Sequence, residues 1–416
     1  MSVDLSRKTV LIWDSSGSYT HMGEAVVSDF ARVLYYVPWE RAFPLPIEGS
    51  PGLGVDGIER SMDFWDDLET ADLVVFTDVG NNSLQEYLRA QGMPVFGSGA
   101  AGRLEQDRGL LKSVCKKQGI GVAEYMPVRG IDNLREMLLG SDDECYIKVS
   151  YWRGLAETYH HTSPFATKYW LDDVSLRAGP YGSLTDFIIE KPIAGDPCVE
   201  IGFDTYTADG MYPETIAYGY EAKDSGFVLN IKPMPKRLQA VADKFAPVLA
   251  QYGYRGPIST EVRCTPDGDY FVDLTARFPE PPSSLQRFMI ANWAEVFWET
   301  AHGRIVEPDY LAQIGVELIM KSSWGAEHPL AVKVGRPDRT TLHGHCVIEG
   351  QDYASSPAEL EEFGAACGMG ATLEAAMEDA LDAAKEIEGF QVTFDSAALQ
   401  ELTETIQKGR ELGLTW

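Results

Sequence analysis

Nowhere in the 416 residues does an apolar run reach the ~18 positions that a membrane-spanning helix needs, so no helical membrane protein is expected. The opening residues, Met1 to Lys8, lack the apolar stretch of a secretory signal, and the expected compartment is the cytoplasm. Cysteine is sparse and scattered. Cys115, Cys145, Cys198, Cys264, Cys346 and Cys367 show no CxxC spacing, which argues against a disulfide framework or a zinc site and fits a reducing compartment. Basic residues are outnumbered, 35 Lys and Arg against 63 Asp and Glu, for a formal charge of −28. A surface that negative repels phosphate backbones and anionic lipid, so neither nucleic acid nor a membrane is an expected partner. The turn Asp14-Ser15-Ser16-Gly17-Ser18 lacks the GxGxxG pattern and is read as an ordinary strand-to-helix turn. Internal repeats, heptads and low-complexity tracts are absent, as is any convincing Ser/His/Asp or Cys/His arrangement.

What remains is a globular composition, 44% hydrophobic and 24% charged, long enough for about two to three domains. Short apolar runs at 8–13, 73–76 and 94–96 read as parallel strands, with helical patterns near Gly23 and over 81–91 and a Gly/Pro-rich loop over 44–57. They suggest a small doubly wound sheet over residues 1–97. The turn Gly97-Ser98-Gly99 opens a helix expected from Ala100 to Gln118, with Leu104, Leu110, Leu111, Val114 and Cys115 on one stripe, Arg108 and Lys112 beside it, and Gly119 ending it. Strands are expected at 145–149, 187–191, 199–206, 258–263 and 270–275, and a helix over 236–252. The last ~95 residues read as separable. They hold strands at 316–320 and 330–334, a helix start at Ser356-Pro357-Ala358-Glu359, and a helical face of Leu373, Met377, Leu381, Ala384 and Ile387.

The sharpest chemical signal is the strand pair 258–275, joined by the turn Pro266-Asp267-Gly268. Alternation puts Ser259, Glu261 and Arg263 on one face of the first strand, and Phe271, Asp273, Thr275 and Arg277 on one face of the second. Glu261 and Asp273 then converge, either as ligands for Mg²⁺ or as acids on a solvated face. Lys148 sits inside an apolar strand, where an unpaired charge is costly. It either meets a polyphosphate, together with Arg108 and Lys112, or snorkels at the strand end. His343-Gly344-His345-Cys346 reads as an alternating strand with exposed histidines rather than a metal cluster. His160-His161 reads as loop surface rather than a substrate contact, and Trp293, Phe297 and Trp298 as core. The segment Pro279 to Ser284 is either an acceptor-binding loop or a connector.

An ordered series of segments resembles the ATP-grasp superfamily, and within it the glycinamide ribonucleotide synthetase (phosphoribosylamine–glycine ligase) family. The resemblance is carried by Phe96 to Glu105, Gly119 to Tyr125, Tyr146-Ile147-Lys148, Ile189 to Gly195, Phe271 to Glu280 and Gly370-Ala-Thr-Leu-Glu-Ala-Ala. It implies an α/β ATP-grasp fold in three parts: a Rossmann-like domain over 1–97, a nucleotide-binding domain over 98–320 with a mobile lid at about 120–195, and a small C-terminal α+β domain over 321–416. The implied cofactors are ATP and Mg²⁺. By the same resemblance Arg108 and Lys148 reach the nucleotide phosphates; Glu190, Lys191 and Ile193 lie in the adenine-binding segment; Glu200 matches a ribose-binding acid. Glu261 and Asp273, with Thr275 two positions on, match the metal-binding set, and Arg277 stands beside the reacting phosphoryl group.

The implied activity is ATP-dependent joining of a carboxylate, with an amino acid as the leading choice, to an amine through an acyl phosphate. Small-molecule substrates are the expected partners, and a homodimer is compatible with them. Four departures stand out. Asp273 replaces the usual Glu, and Thr275 the usual Asn. The lid loop Ser150-Tyr151-Trp152-Arg153-Gly154-Leu155 has little glycine, leaving Arg153 as a substitute charge. The family's glycine-rich substrate loop is replaced by Tyr218 to Gly226, which leaves the substrate pair altered. The competing expectation is a nucleotide-binding regulator, or a degenerate homologue without ligase activity.

Overall fold

The computed structural model of the protein describes residues 3–39, 42–43, 46–152, 157–356 and 360–416. Among these residues the strands form four sheets. The first contains β1 (Thr9–Trp13), β2 (Arg32–Tyr36), β3 (Ile58–Ser61), β4 (Leu73–Phe76) and β5 (Val95–Phe96), all parallel, in the order β3-β2-β1-β4-β5. Val10, Leu11, Ile12, Val74 and Val75 are wholly buried. Such runs are continuous rather than alternating because both faces of a parallel sheet are covered. After β1 the Asp14 carboxylate accepts the backbone N–H groups of Gly17 (3.0 Å) and Tyr19 (2.6 Å). The turn closes at once, and the helix starts at Thr20, three residues earlier than the pattern near Gly23 suggests. The loop expected over 44–57 contains the short helix Pro46–Gly49.

The second sheet is antiparallel, in the order β6-β9-β7-β8, from β6 (Tyr125–Arg129), β7 (Cys145–Val149), β8 (Thr158–His161) and β9 (Asp186–Glu190). The helices Ile131–Leu139 and Pro164–Ala178 close its own small core through Leu134, Leu138, Leu171 and Val174 against Ile147 and Phe187.

The third sheet dominates the molecule. It contains β10 (Val199–Ala208), β11 (Ala217–Ala222), β12 (Gly226–Asn230), β13 (Arg255–Cys264), β14 (Asp269–Thr275) and β15 (Ile314–Ser322). The fourth is smaller, in the order β18-β19-β16-β21, from β16 (Leu330–Val334), β18 (Cys346–Ile348), β19 (Gln351–Ala354) and β21 (Ile387–Gly389). The remaining strands, β17 (Thr340–Leu342), β20 (Glu362–Gly370) and β22 (Val392–Thr393), join the third sheet. Its order is β14-β13-β10-β11-β12-β15-β20-β17, with β22 on β15, so hydrogen bonding runs unbroken past residue 320. The helix Lys236–Tyr252 packs Leu238, Val241, Phe245 and Leu249 into its core. Trp293 and Phe297 are buried on the helix Trp293–Ala301, beneath the first sheet.

Several local expectations give way to the structure. The helix expected over 100–118 is broken: a 3₁₀ turn (Gly99–Gly102) and the helix Arg103–Gln106 end at Asp107, which is extended (φ −103°, ψ 94°). Its carboxylate then accepts Leu110 N–H (2.9 Å) and caps the helix Arg108–Lys117. Gly119 follows in the left-handed region (φ +67°), as expected of a C′ residue. The expected helix start at 356–359 falls on Pro357-Ala358-Glu359, which lie outside the described residues; from Glu362 the chain is strand β20. On the helix Leu373–Lys385 the buried face is alanine, Ala376, Ala380, Ala383 and Ala384, while Ile387 lies in β21. The small side chains let this helix sit close on β20, where an added Cβ at Gly368 would lie 2.1 Å from Ala376 O.

Candidate active site

The β13–β14 hairpin places Glu261 directly opposite Asp273 and Ser259 opposite Thr275. A bulge between Glu261 and Val262 then inserts one residue, Val272, so that Phe271 pairs with Val262 and joins the core. Phe271 is therefore not on the Asp273 face, contrary to strict alternation. The bulge also frees Val272 O to accept Lys112 Nζ (2.9 Å) and Lys148 Nζ (3.2 Å).

These side chains surround a cavity of about 980 Å³. Arg108, Lys148, Glu190, Lys191, Ile193, Glu200, Glu261, Asp273, Thr275 and Arg277 all line it, whereas Lys112, read from the sequence beside Arg108, does not and is held against Glu190. The cations reach it from three directions. Lys148 projects from β7 with Nζ 3.4 Å from Asp273 Oδ2. Burial opposes its charge, but Asp273 and Glu190 hold its pKa above the ordinary lysine value. Arg108, at the first turn of its helix, bonds both Asp273 and Glu157. Arg277, beyond β14, pairs with Glu105 (3.0 Å) and Asp78 (3.5 Å) and donates to Tyr19 Oη (3.1 Å). Glu190 is buried against Lys112 (2.7 Å), whose pKa is lowered by burial and by the neighbouring Lys148. Lys191 pairs with Glu124 (2.9 Å) in an exposed setting.

The two central acids are pushed in opposite directions. Burial raises the pKa of Asp273, but Arg108, Lys148 and Lys112 outweigh it and hold the carboxyl well below the usual range. Glu261 keeps some contact with solvent through the cavity, yet burial, then Glu200, Asp273 and Glu221, push it up to about 8. One oxygen each from Glu200, Glu221 and Glu261 lies within 4.8 Å of the other two. Glu200 also pairs with Arg263 (2.8 Å), and Glu221 with Lys223 (3.5 Å).

Sequence reasoning missed Glu105, Glu157, Glu221, Lys223 and Asp204, all of which line the cavity. Alternation along β10 was a usable signal for Asp204, two turns of the pleat from Glu200. The others become visible only when separate strands are laid side by side. Arg153, expected as a substitute charge, lies outside the described residues. The expectation of exposed histidines at 343–346 is overturned. His343 is 1% exposed, and His345 bridges Glu24 (3.2 Å) and Asp352 (2.9 Å), because the segment crosses between β17 and β18 against the helix Thr20–Glu24. Of the other pair, His160 is exposed beside Glu144 (2.7 Å), whereas His161 is buried against Thr167 (2.5 Å); neither lines the cavity.

No family model matches the chain, and no curated protein matches it. Among solved structures it is similar to the phosphoribosylamine–glycine ligase of Thermotoga maritima, with a TM-score of 0.70 at 17% identity over 93% of this chain and 99% of that one. It is also similar to the biotin carboxylase domain of the Hydrogenobacter thermophilus 2-oxoglutarate carboxylase, in complex with MgADP and bicarbonate (TM-score 0.66, 12% identity, 96% and 98% covered). A third likeness is to the N5-carboxyaminoimidazole ribonucleotide synthetase of Thermotoga maritima (TM-score 0.59, 14% identity, 94% and 100% covered). All three are ATP-grasp enzymes, and identities this low speak for architecture. The chain has the ATP-grasp fold.

Proposed function

We propose that the protein is an ATP- and Mg²⁺-dependent ligase that joins a carboxylate to an amine. The observation that carries this reading is the convergence of Arg108, Lys148 and Arg277 with Glu261 and Asp273 on one cavity, from four separate parts of the chain. Buried cations beside carboxylates suit a polyphosphate bound with a hard cation. The donor set fits Mg²⁺. The oxygens of Glu200, Glu221 and Glu261 crowd together, and burial, then the neighbouring carboxylates, raise the pKa of Glu261. Glu261 and Asp273 would hold the ion, with Thr275 adjacent. ATP supplies the phosphoryl group that turns a carboxylate, whose own leaving group is poor, into an acyl phosphate open to an amine.

The protein's part is to bind, orient and keep water out. Lys148 and Arg108 place positive charge where phosphate oxygens would sit, and the low-dielectric surroundings strengthen that field. Arg277 is held rigid by Glu105 and Asp78, so its guanidinium is positioned before substrate arrives. Glu190, Lys191 and Ile193, at the end of β9 beside β6, would take the adenine. The β6–β9 sheet, with its own core, would act as the lid that excludes water from the acyl phosphate. The three-part division at 97 and 320, an amino acid as the carboxylate, a homodimer and a cytoplasmic setting belong to the same proposal.

A second reading, a nucleotide-binding regulator without turnover, has one observation in its favour: Asp273 already engages both Arg108 and Lys148. ADP release measured across amino acids and amines separates the two. Turnover that depends on both substrates and disappears in Lys148→Met supports the ligase. Nucleotide binding with no turnover under any pair supports the regulator.

A further inference from the structure

The cavity wall formed by Glu280, His343 and Glu362 takes no part in phosphate binding as described above. One ligand atom from each lies within 4.8 Å of the other two. Glu280 is fixed, its oxygens accepting the hydroxyls of Ser283 (2.6 Å) and Ser284 (2.9 Å). His343 is buried, yet neither ring nitrogen makes a hydrogen bond; Nε2 stands 3.7 Å from Glu280 Oε1. Behind them Glu317 is wholly buried, with one oxygen unpartnered. Burial, and Glu280 beside it, push Glu362 up to about 7 even though His343 and Lys321 act to lower it. Two nearby cations are engaged elsewhere, Arg287 by Glu24 (2.8 Å) and Lys223 by Glu221 (3.5 Å), which leaves Lys321 to act on Glu362. A phosphate dianion would meet two glutamates at this wall, Glu280 and Glu362. Burial opposes a charge on His343, yet Glu280 and Glu362 raise its pKa, so the imidazole offsets only part of the two carboxylates, and a cationic group would relieve the repulsion left between Glu280 and Glu362.

We propose that this wall anchors the amine substrate, and that the substrate is an unphosphorylated amine carrying a second cationic group, such as an aliphatic diamine. The second group follows from acid–base chemistry. An ammonium held between carboxylates keeps its proton and cannot attack, so the group that is anchored and the group that is acylated are different. This inference rests on the ligase reading.

The test is equilibrium binding to the full chain, with Mg²⁺ and a non-hydrolysable ATP analogue present, using putrescine, n-butylamine and phosphoethanolamine as probes. Putrescine is expected to bind about tenfold more tightly than n-butylamine, the worth of one charge-assisted contact, and phosphoethanolamine not at all. Glu362→Gln is expected to weaken putrescine by about tenfold and leave the nucleotide affinity unchanged. Equal binding of putrescine and n-butylamine, or binding of phosphoethanolamine, overturns the inference. So does tight binding of Mn²⁺ alone that His343→Asn abolishes, since the wall is then a metal site. Should Glu362→Gln fail to fold, the ranking of probes on the unaltered protein and the His343→Asn variant decide. Failure of the nucleotide analogue to bind sinks the ligase reading instead, and the two failures are read in separate titrations.

Discussion

Asp204 lies on β10 opposite Ser259, buried at the cavity wall, with neither carboxylate oxygen hydrogen-bonded. Burial pushes its pKa from 3.8 up to about 7, against the lowering effect of Ser259 alongside. The sign follows directly. The folded-state value is raised, so the unfolded chain ionises first as pH climbs, and the folded state loses ground between pH 3.8 and about 7. At about 1.4 kcal/mol per pKa unit, the full penalty above that window is roughly 4 kcal/mol. Asp204→Asn removes the titration. The new amide brings its own unsatisfied groups, but those act equally at every pH. The gain in stability at about pH 8 should therefore exceed the gain at about pH 5 by roughly 2–3 kcal/mol. Urea unfolding followed by tryptophan fluorescence at both pH values measures this, provided the slope with denaturant is unchanged. An equal effect of the substitution at the two pH values would refute the reasoning.

Lys148→Met removes a buried charge that faces Asp273, and turnover is expected to fall by about a hundredfold or more in the ADP-release assay, with the fold retained by circular dichroism. Asp273→Asn strips the partner from Lys148 and one partner from Arg108; because Glu157 still holds Arg108, a stability loss of about 3 kcal/mol is expected from denaturant titration. Gly202→Ala would set a Cβ 2.0 Å from Thr260 O on the neighbouring strand; the backbone must shift, and thermal unfolding should report a loss of about 2–3 kcal/mol.

The sequence disclosed most where a single strand or helix carries its own pattern. The helix Lys236–Tyr252 starts and ends where its apolar period says it should, and the Pro266-Asp267-Gly268 turn brings Glu261 opposite Asp273. It disclosed least where partners come from distant strands. Nothing local marks Glu157 as a ligand of Arg108, or Glu221 as a neighbour of Glu261, since both contacts exist only across the folded sheets. Two failures have particular causes. The apolar stripe through 100–118 is continuous, and only the capping chemistry of Asp107 tells the chain to break there. The bulge at Glu261/Val262 shifts the period by one residue, which no alternating pattern can signal. The burial of the histidines at 343 and 345 has no local signal, because the helix that covers them, Thr20–Glu24, is more than 300 positions away in sequence, as the 321-residue separation of His345 from Glu24 shows.

Glu261 and Glu362 sit on strands β13 and β20 of the same hydrogen-bonded sheet, five steps apart. At about 4.8 Å per step, the path between them along the sheet is roughly 24 Å. That interval is written into backbone pairing rather than into loops, so lengthening or shortening a surface loop leaves the order of strands between β13 and β20 untouched.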